Sequence, residues 1–168
     1  MDKLFRIGDF CFCVISELPY AAPDRFQQFA IEAGRPEYTY HIQKVQTLSG
    51  LEGKRITRRP DMEVFQDGTK ESRLIGIKGT PGYYACYREI SSRKADIWVT
   101  KLVQELMPSD TVYGSLFALD RRMIERGGLI LHCAYIEYHG KGILFSAPSG
   151  VGKSTQAALW EKYRNSVT

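Results

Sequence analysis

The chain has 168 residues, 43% hydrophobic and 25% charged, a soluble-globular balance with enough apolar content for one domain or two small ones. Its 23 basic and 19 acidic residues leave a formal charge of +4 and a pI near 8.9, which suits an anionic ligand without implying nucleic acid. The longest apolar run, Phe10–Ile15, is far too short to span a bilayer and no small-residue cleavage site closes it, so the expectation is a cytoplasmic protein with no membrane partner.

Residues 1–108 read as a β-rich region. Phe10–Ser16 is a strand-length apolar run. Within it Cys11 and Cys13 share a face and read as small buried hydrophobes. With Cys86 and Cys133 they form no C-x-x-C pair, which argues against a zinc or redox site and fits a reducing cytosol. Tyr38–Leu48 alternates loosely, with Tyr40 and Ile42 on one face. Met62–Phe65 and Arg73–Ile77 flank a turn at Asp67-Gly68, a hairpin signal. Tyr83–Ile90 and Asp96–Val103 complete what reads as a mostly antiparallel sheet. The basic run Lys54-Arg55-Ile56-Thr57-Arg58-Arg59 has two readings, a dock for an acidic peptide or nucleic acid and a solvated loop or exposed strand face. The lack of interleaved aromatics favours the second. Strand propensity suffices for the tyrosines at 83, 84, 87, 135 and 138.

Pro108-Ser109-Asp110 punctuates the chain, and residues 109–168 change period. Val112, Leu116, Leu119 and Met123 fall on one helical face, with Asp110 or Thr111 able to cap it, Arg121, Arg122 and Arg126 near its end, and Gly127-Gly128 to stop it. Leu129–Tyr138 and Ile143–Ser146 read as buried strands joined by the turn His139-Gly140-Lys141-Gly142, and Lys153–Arg164 reads as a helix. The fold class expected is therefore α/β (α+β).

Ala147-Pro148-Ser149-Gly150-Val151-Gly152-Lys153-Ser154 matches the P-loop pattern G-x-x-x-x-G-K-[ST] except that Ala147 replaces the first glycine. Gly150 and Gly152 let successive amides, including those of Ser149 and Val151, curl into one cavity. The start of the following helix, with Thr155 in its first turn, adds positive potential. Lys153 is suited to stabilise the β- and γ-phosphates, and the Ser154 hydroxyl to meet Mg²⁺. A plain Gly-rich turn is the alternative, but it has no need of Lys and Ser at those places.

The run Gly140-Lys141-Gly142-Ile143-Leu144-Phe145-Ser146-Ala147-Pro148-Ser149-Gly150-Val151-Gly152-Lys153-Ser154-Thr155-Gln156-Ala157, with the flanking His132 and Trp160, resembles the HPr serine kinase superfamily, and within it the HPr kinase-related proteins. The likeness is specific from residue 111 onward and general before it. It implies a nucleotide-binding core shared with phosphoenolpyruvate carboxykinase, ATP and Mg²⁺ as cofactors, and a Ser or Thr hydroxyl on a peptide or small protein as phosphate acceptor. His132 stands where that family has a His-Gly pair, with Cys133 in place of the glycine; its plainer reading is a partly buried strand histidine.

Phosphoryl transfer also needs carboxylates. After Thr155 the only acid is Glu161, two turns along the helix, so the chain is expected to be the front portion of such a kinase, binding nucleotide weakly and turning it over little. The alternative is a non-catalytic nucleotide-binding or interaction module. Carboxykinase-like chemistry is weaker, since nothing reads as a carboxylate-substrate site. An uncovered sheet edge makes self-association an expectation in either case.

Overall fold

A computed structural model describes residues 2–18, 22–77, 79–101 and 110–167. The chain divides into two compact units, Met1–Leu119 and Asp120–Thr168. The expected punctuation at Pro108-Ser109 lies outside the described residues, as do residues 102 and 103 of the last expected strand.

The first unit is a nine-stranded sheet. In chain order its elements are β1 (Asp2–Ile7), β2 (Phe10–Ser16), α1 (Asp24–Gln27), β3 (Ala30–Ile31), β4 (Tyr38–Lys44), β5 (Lys54–Arg59), β6 (Met62–Asp67), β7 (Lys70–Ile77), β8 (Thr80–Ser91) and β9 (Lys94–Val99). Across the sheet the order is β3-β1-β2-β4-β9-β8-β7-β6-β5. Strands β5 to β9 form an antiparallel meander, as their short connections require. Gly68, at a φ of +57°, makes the turn between β6 and β7. β4 is the exception, running parallel to both β2 and β9.

Alternation of side chains decides which face is buried. Phe12, Tyr40, Ile42 and Ile97 are wholly buried. The centre of this core is an aromatic cluster. Phe117 lies 4.9 Å from Tyr40, 4.7 Å from Tyr113 and 6.3 Å from Phe12 by ring centroid, and Phe26 meets Tyr113 at 4.7 Å. A polar network adjoins it. Glu89 accepts from the Glu71 amide at 2.7 Å and from the Tyr87 hydroxyl at 3.1 Å, while Arg73 Nε donates to Glu71 at 2.5 Å. Buried charges persist only when paired in this way.

The helix expected from 111 onward is two helices. α2 (Asp110–Leu116) and α3 (Leu119–Ile124) are separated at Phe117-Ala118, where Ala118 takes a φ of +46°. A left-handed residue cannot continue a right-handed helix. The apolar spacing survives the break, and Leu116 and Leu119 are both buried. The side chains of residues 110–112, including the proposed caps and Val112, lie outside those described. α3 ends as expected: Gly127 is left-handed at +70° and the Gly128 amide donates to the Met123 carbonyl at 2.8 Å. Arg121 and Arg122 sit in the last turn of α3, both against Glu125.

The second unit holds the hairpin β10 (Cys133–Tyr138) and β11 (Lys141–Ser146), followed by α4 (Lys153–Arg164). His139 and Gly140, at φ +49° and +69°, make the two-residue turn. Tyr138 and Phe145 meet Trp160 of α4 at 5.3 and 6.2 Å, and Ile136 is wholly buried. The expectation of buried strands is only half met. Tyr135 and Leu144, opposite each other on the other face, are 51% and 53% exposed, and Leu129–Leu131 precede the strand and are exposed. Two strands with one helix have one face to hide. Among the described residues no helix is long and apolar enough to cross a membrane.

Phe117→Ala should lower unfolding free energy by about 3–5 kcal/mol in denaturant melts, since it empties the centre of the aromatic cluster. A change below about 1 kcal/mol would mean the cluster is not a close-packed core. A second expectation concerns pH. Burial pushes the Cys86 thiol from its ordinary 9.0 up to about 11. The unfolded chain releases that proton first, so the stability is intact below pH 9 and lost between pH 9 and about 11. Cys86→Ala should reduce the loss in this window, leaving the part due to the Cys13 thiol, also raised chiefly by burial, and above pH 10 that due to buried Tyr87, whose hydroxyl is raised chiefly by burial.

Candidate functional site: the loop between β11 and α4

Residues 147–152 connect β11 to α4 and are exposed from Pro148 to Gly152. Gly150 and Gly152 have φ of +85° and +89°, a region closed to side-chain-bearing residues without strain. The requirement comes from the backbone, not from crowding. A Cβ built on Gly150 meets nothing within 4 Å, and one on Gly152 meets only Thr155 Cβ at 4.0 Å. The space beside both glycines is therefore open.

Gly152 is also the N-cap of α4, left-handed and with no side-chain cap bond. The Gln156 amide reaches back to the Gly152 carbonyl at 2.8 Å. The amides that precede it in the first turn have no partner within the helix, as at any helix start. No acidic residue occupies that turn. Positive potential from the helix dipole is thus met by no carboxylate within that turn.

Lys153 is the side chain that closes the loop. Its Nζ donates to the carbonyls of Ala147 at 2.9 Å and Pro148 at 3.1 Å. An ammonium has three donors, so two fix the side chain over the loop and one remains. Among the described residues no carboxylate pairs with it. The sequence-predicted residues Ser149, Gly150, Val151, Gly152, Lys153, Ser154 and Thr155 are all brought to this one turn, with Ser154 and Thr155 exposed at the head of α4. What sequence reasoning could not supply is the pair of carbonyls that holds Lys153, because backbone acceptors leave no trace in residue identity.

Other candidates fall away from the loop in chemistry. Glu161 is exposed on α4, well beyond its first turn. His132 is exposed and precedes β10, which corrects the reading of a partly buried strand histidine. Its segment remains outside the ladder because pairing begins at Cys133 with Ser146. The four cysteines are unpaired: Cys11 and Cys86 buried, Cys13 and Cys133 half-buried. Among the described residues no cluster of three or more His, Cys, Asp or Glu side chains could hold a metal.

No family model, curated protein or solved structure matches this chain.

Gly152→Ala forces a methyl-bearing residue to a φ of +89° and should destabilise the second unit by about 1–2 kcal/mol, read as faster amide exchange in α4. Unchanged exchange would show that the left-handed cap is dispensable.

Proposed function

We propose that residues 147–155 bind the phosphate groups of a nucleotide, and that the chain carries the phosphate-binding part of an ATP-dependent, HPr kinase-like phosphotransferase acting on a peptide or small protein. The observation that carries the reading is Lys153, held by two loop carbonyls over a turn with two left-handed glycines and an uncapped helix start. Each part favours an anion, and the three coincide within one turn.

The roles follow from chemistry. Amides from Ser149 to Gly152 donate to phosphate oxygens, and the Lys153 ammonium adds a point charge that a neutral residue cannot replace. The donor set fits Mg²⁺: the Ser154 hydroxyl is a hard oxygen ligand, and this ion commonly takes its other ligands from phosphates and water. ATP, when bound, supplies the phosphoryl group. The chain's own residues orient it and neutralise its charge.

A second reading keeps the nucleotide and drops the transfer. It is favoured by the absence, among the described residues, of any carboxylate paired with Lys153, and by the exposure of Glu161 along α4. In that reading the chain is a binding or interaction module.

Titration calorimetry with ATP and Mg²⁺ tests the shared claim. Lys153→Ala should weaken binding at least about tenfold, or about 1.4 kcal/mol. Equal affinity for both proteins would sink the phosphate site. Labelling of peptide hydroxyls from radiolabelled ATP then separates the two readings, since the module binds without transfer.

A further inference from the structure

We propose that the outer edge of β5 and the cleft at its end form a docking surface for an extended acidic peptide. This surface lies in the first unit and stands independently of the phosphate loop. β5 ends the nine-strand order and, among the described residues, is bonded on one side only, to β6. Its other edge offers a row of backbone N–H and C=O groups, the elements that strand addition uses. All six of its residues are exposed.

Charge selects the partner. Lys54, Arg55, Arg58 and Arg59 are four cations in six residues. Glu63 meets Arg55 Nη1 at 3.4 Å and Arg58 Nε at 3.3 Å, and Asp61 meets Arg59 Nε at 3.8 Å. Two carboxylates serve three of these cations, so the ion-paired end of the strand keeps a net positive charge, while Glu52 and Asp67 flank the Lys54 end. The common contact with Glu63 also shows that Arg55 and Arg58 share a face, which follows from the register shift between Arg55 and Thr57. An added strand presents every second side chain to one face, so acidic residues at alternate positions meet these guanidiniums.

Cationic edge strands also exist simply to discourage pairing between sheets, and for that the charges alone suffice. The cleft is what that explanation does not require. Arg58, Arg59, Pro60, Gly82 and Tyr83 line a space of about 570 Å³ where the strand ends. That volume is of ligand-pocket size and has two guanidiniums at its wall. The Tyr83 phenol is raised above its ordinary value by burial first and then by its hydrogen bond to Glu63, which ties this ring to the carboxylate that Arg55 and Arg58 share. β5 carries no aromatic side chain and Tyr83 is the one aromatic among the described residues lining the cleft, so the surface offers no row of rings on which successive bases could stack.

Phage-displayed random octapeptides panned against the full chain provide the probe. The expected result is enrichment of Asp and Glu at alternate positions. The most enriched sequence, made synthetically with a fluorophore, should bind at least tenfold more weakly to the Arg58→Glu/Arg59→Glu variant, checked for folding by circular dichroism. The milder pair Arg58→Gln/Arg59→Gln serves if the reversal misfolds. N-methylation of alternate peptide amides should weaken binding at least tenfold as well, whereas Lys153→Ala should leave it unchanged. The proposal is overturned by panning with no acidic preference, by binding indifferent to the arginine variants, by an N-methylated peptide that binds equally well, or by displacement with an eight-nucleotide oligo-dT at equal concentration.

Discussion

Lys153 is the first residue of α4, and its ammonium reaches back to carbonyls six and five positions earlier, Ala147 and Pro148. Between those carbonyls and the helix the chain turns left-handed at Gly150 and Gly152, so the path that the lysine spans is shaped by two residues in a region that favours glycine. The loop's chemistry therefore rests on a backbone constraint, and the cation is its consequence. A side chain already ordered by its own loop loses less freedom when an anion arrives than a mobile surface lysine would.

The two units reach their stability by different means. In the first, a broad sheet buries aromatic rings from β1, β2 and β4 against Phe26, Tyr113 and Phe117. Buried carboxylates on β7 and β8 are tolerated there because Arg73, Tyr87 and a backbone amide complete them. The second unit has most of α3, then a hairpin and α4 with one indole between those two. Its smaller core leaves Tyr135 and Leu144 half in water. The loop between β11 and α4 is mounted on the less extensively packed unit, the part of a protein where local opening is least costly.

Legibility in the sequence followed locality. Phe10–Ser16, the hairpin around Asp67-Gly68 and the helix from Lys153 to Arg164 are specified by neighbouring residues, and each lies where the pattern put it. The parallel pairing of β2 with β4 and of β4 with β9 joins residues far apart in the chain, and no short window carries it. β1 was hidden for another reason. It is a near-edge strand whose charged residues, Lys3 and Arg6, mask the alternation of a half-buried strand, whereas the favoured reading of Lys54–Arg59 already included the exposed strand face that β5 presents. Ala118 escaped because the apolar stripe continues across the break in register, so spacing alone reports one helix where the backbone makes two. At the site, the motif was readable since glycine and lysine are themselves the message. The cleft beside Tyr83 was not, because it forms only when β8 is laid three strands away from β5.

Asn165 ends α4 in the left-handed conformation, and the chain turns back so that Val167 exchanges two backbone hydrogen bonds with Glu137, at 2.7 and 3.0 Å. This short bridge occupies the flank of β10. Among the described residues the flank of β11 has no such guest. Growth of this small sheet is thereby given a direction: among the described residues the unhindered flank for a further strand is the one beside Lys141–Ser146, the strand that leads straight into the loop of Gly150 and Gly152.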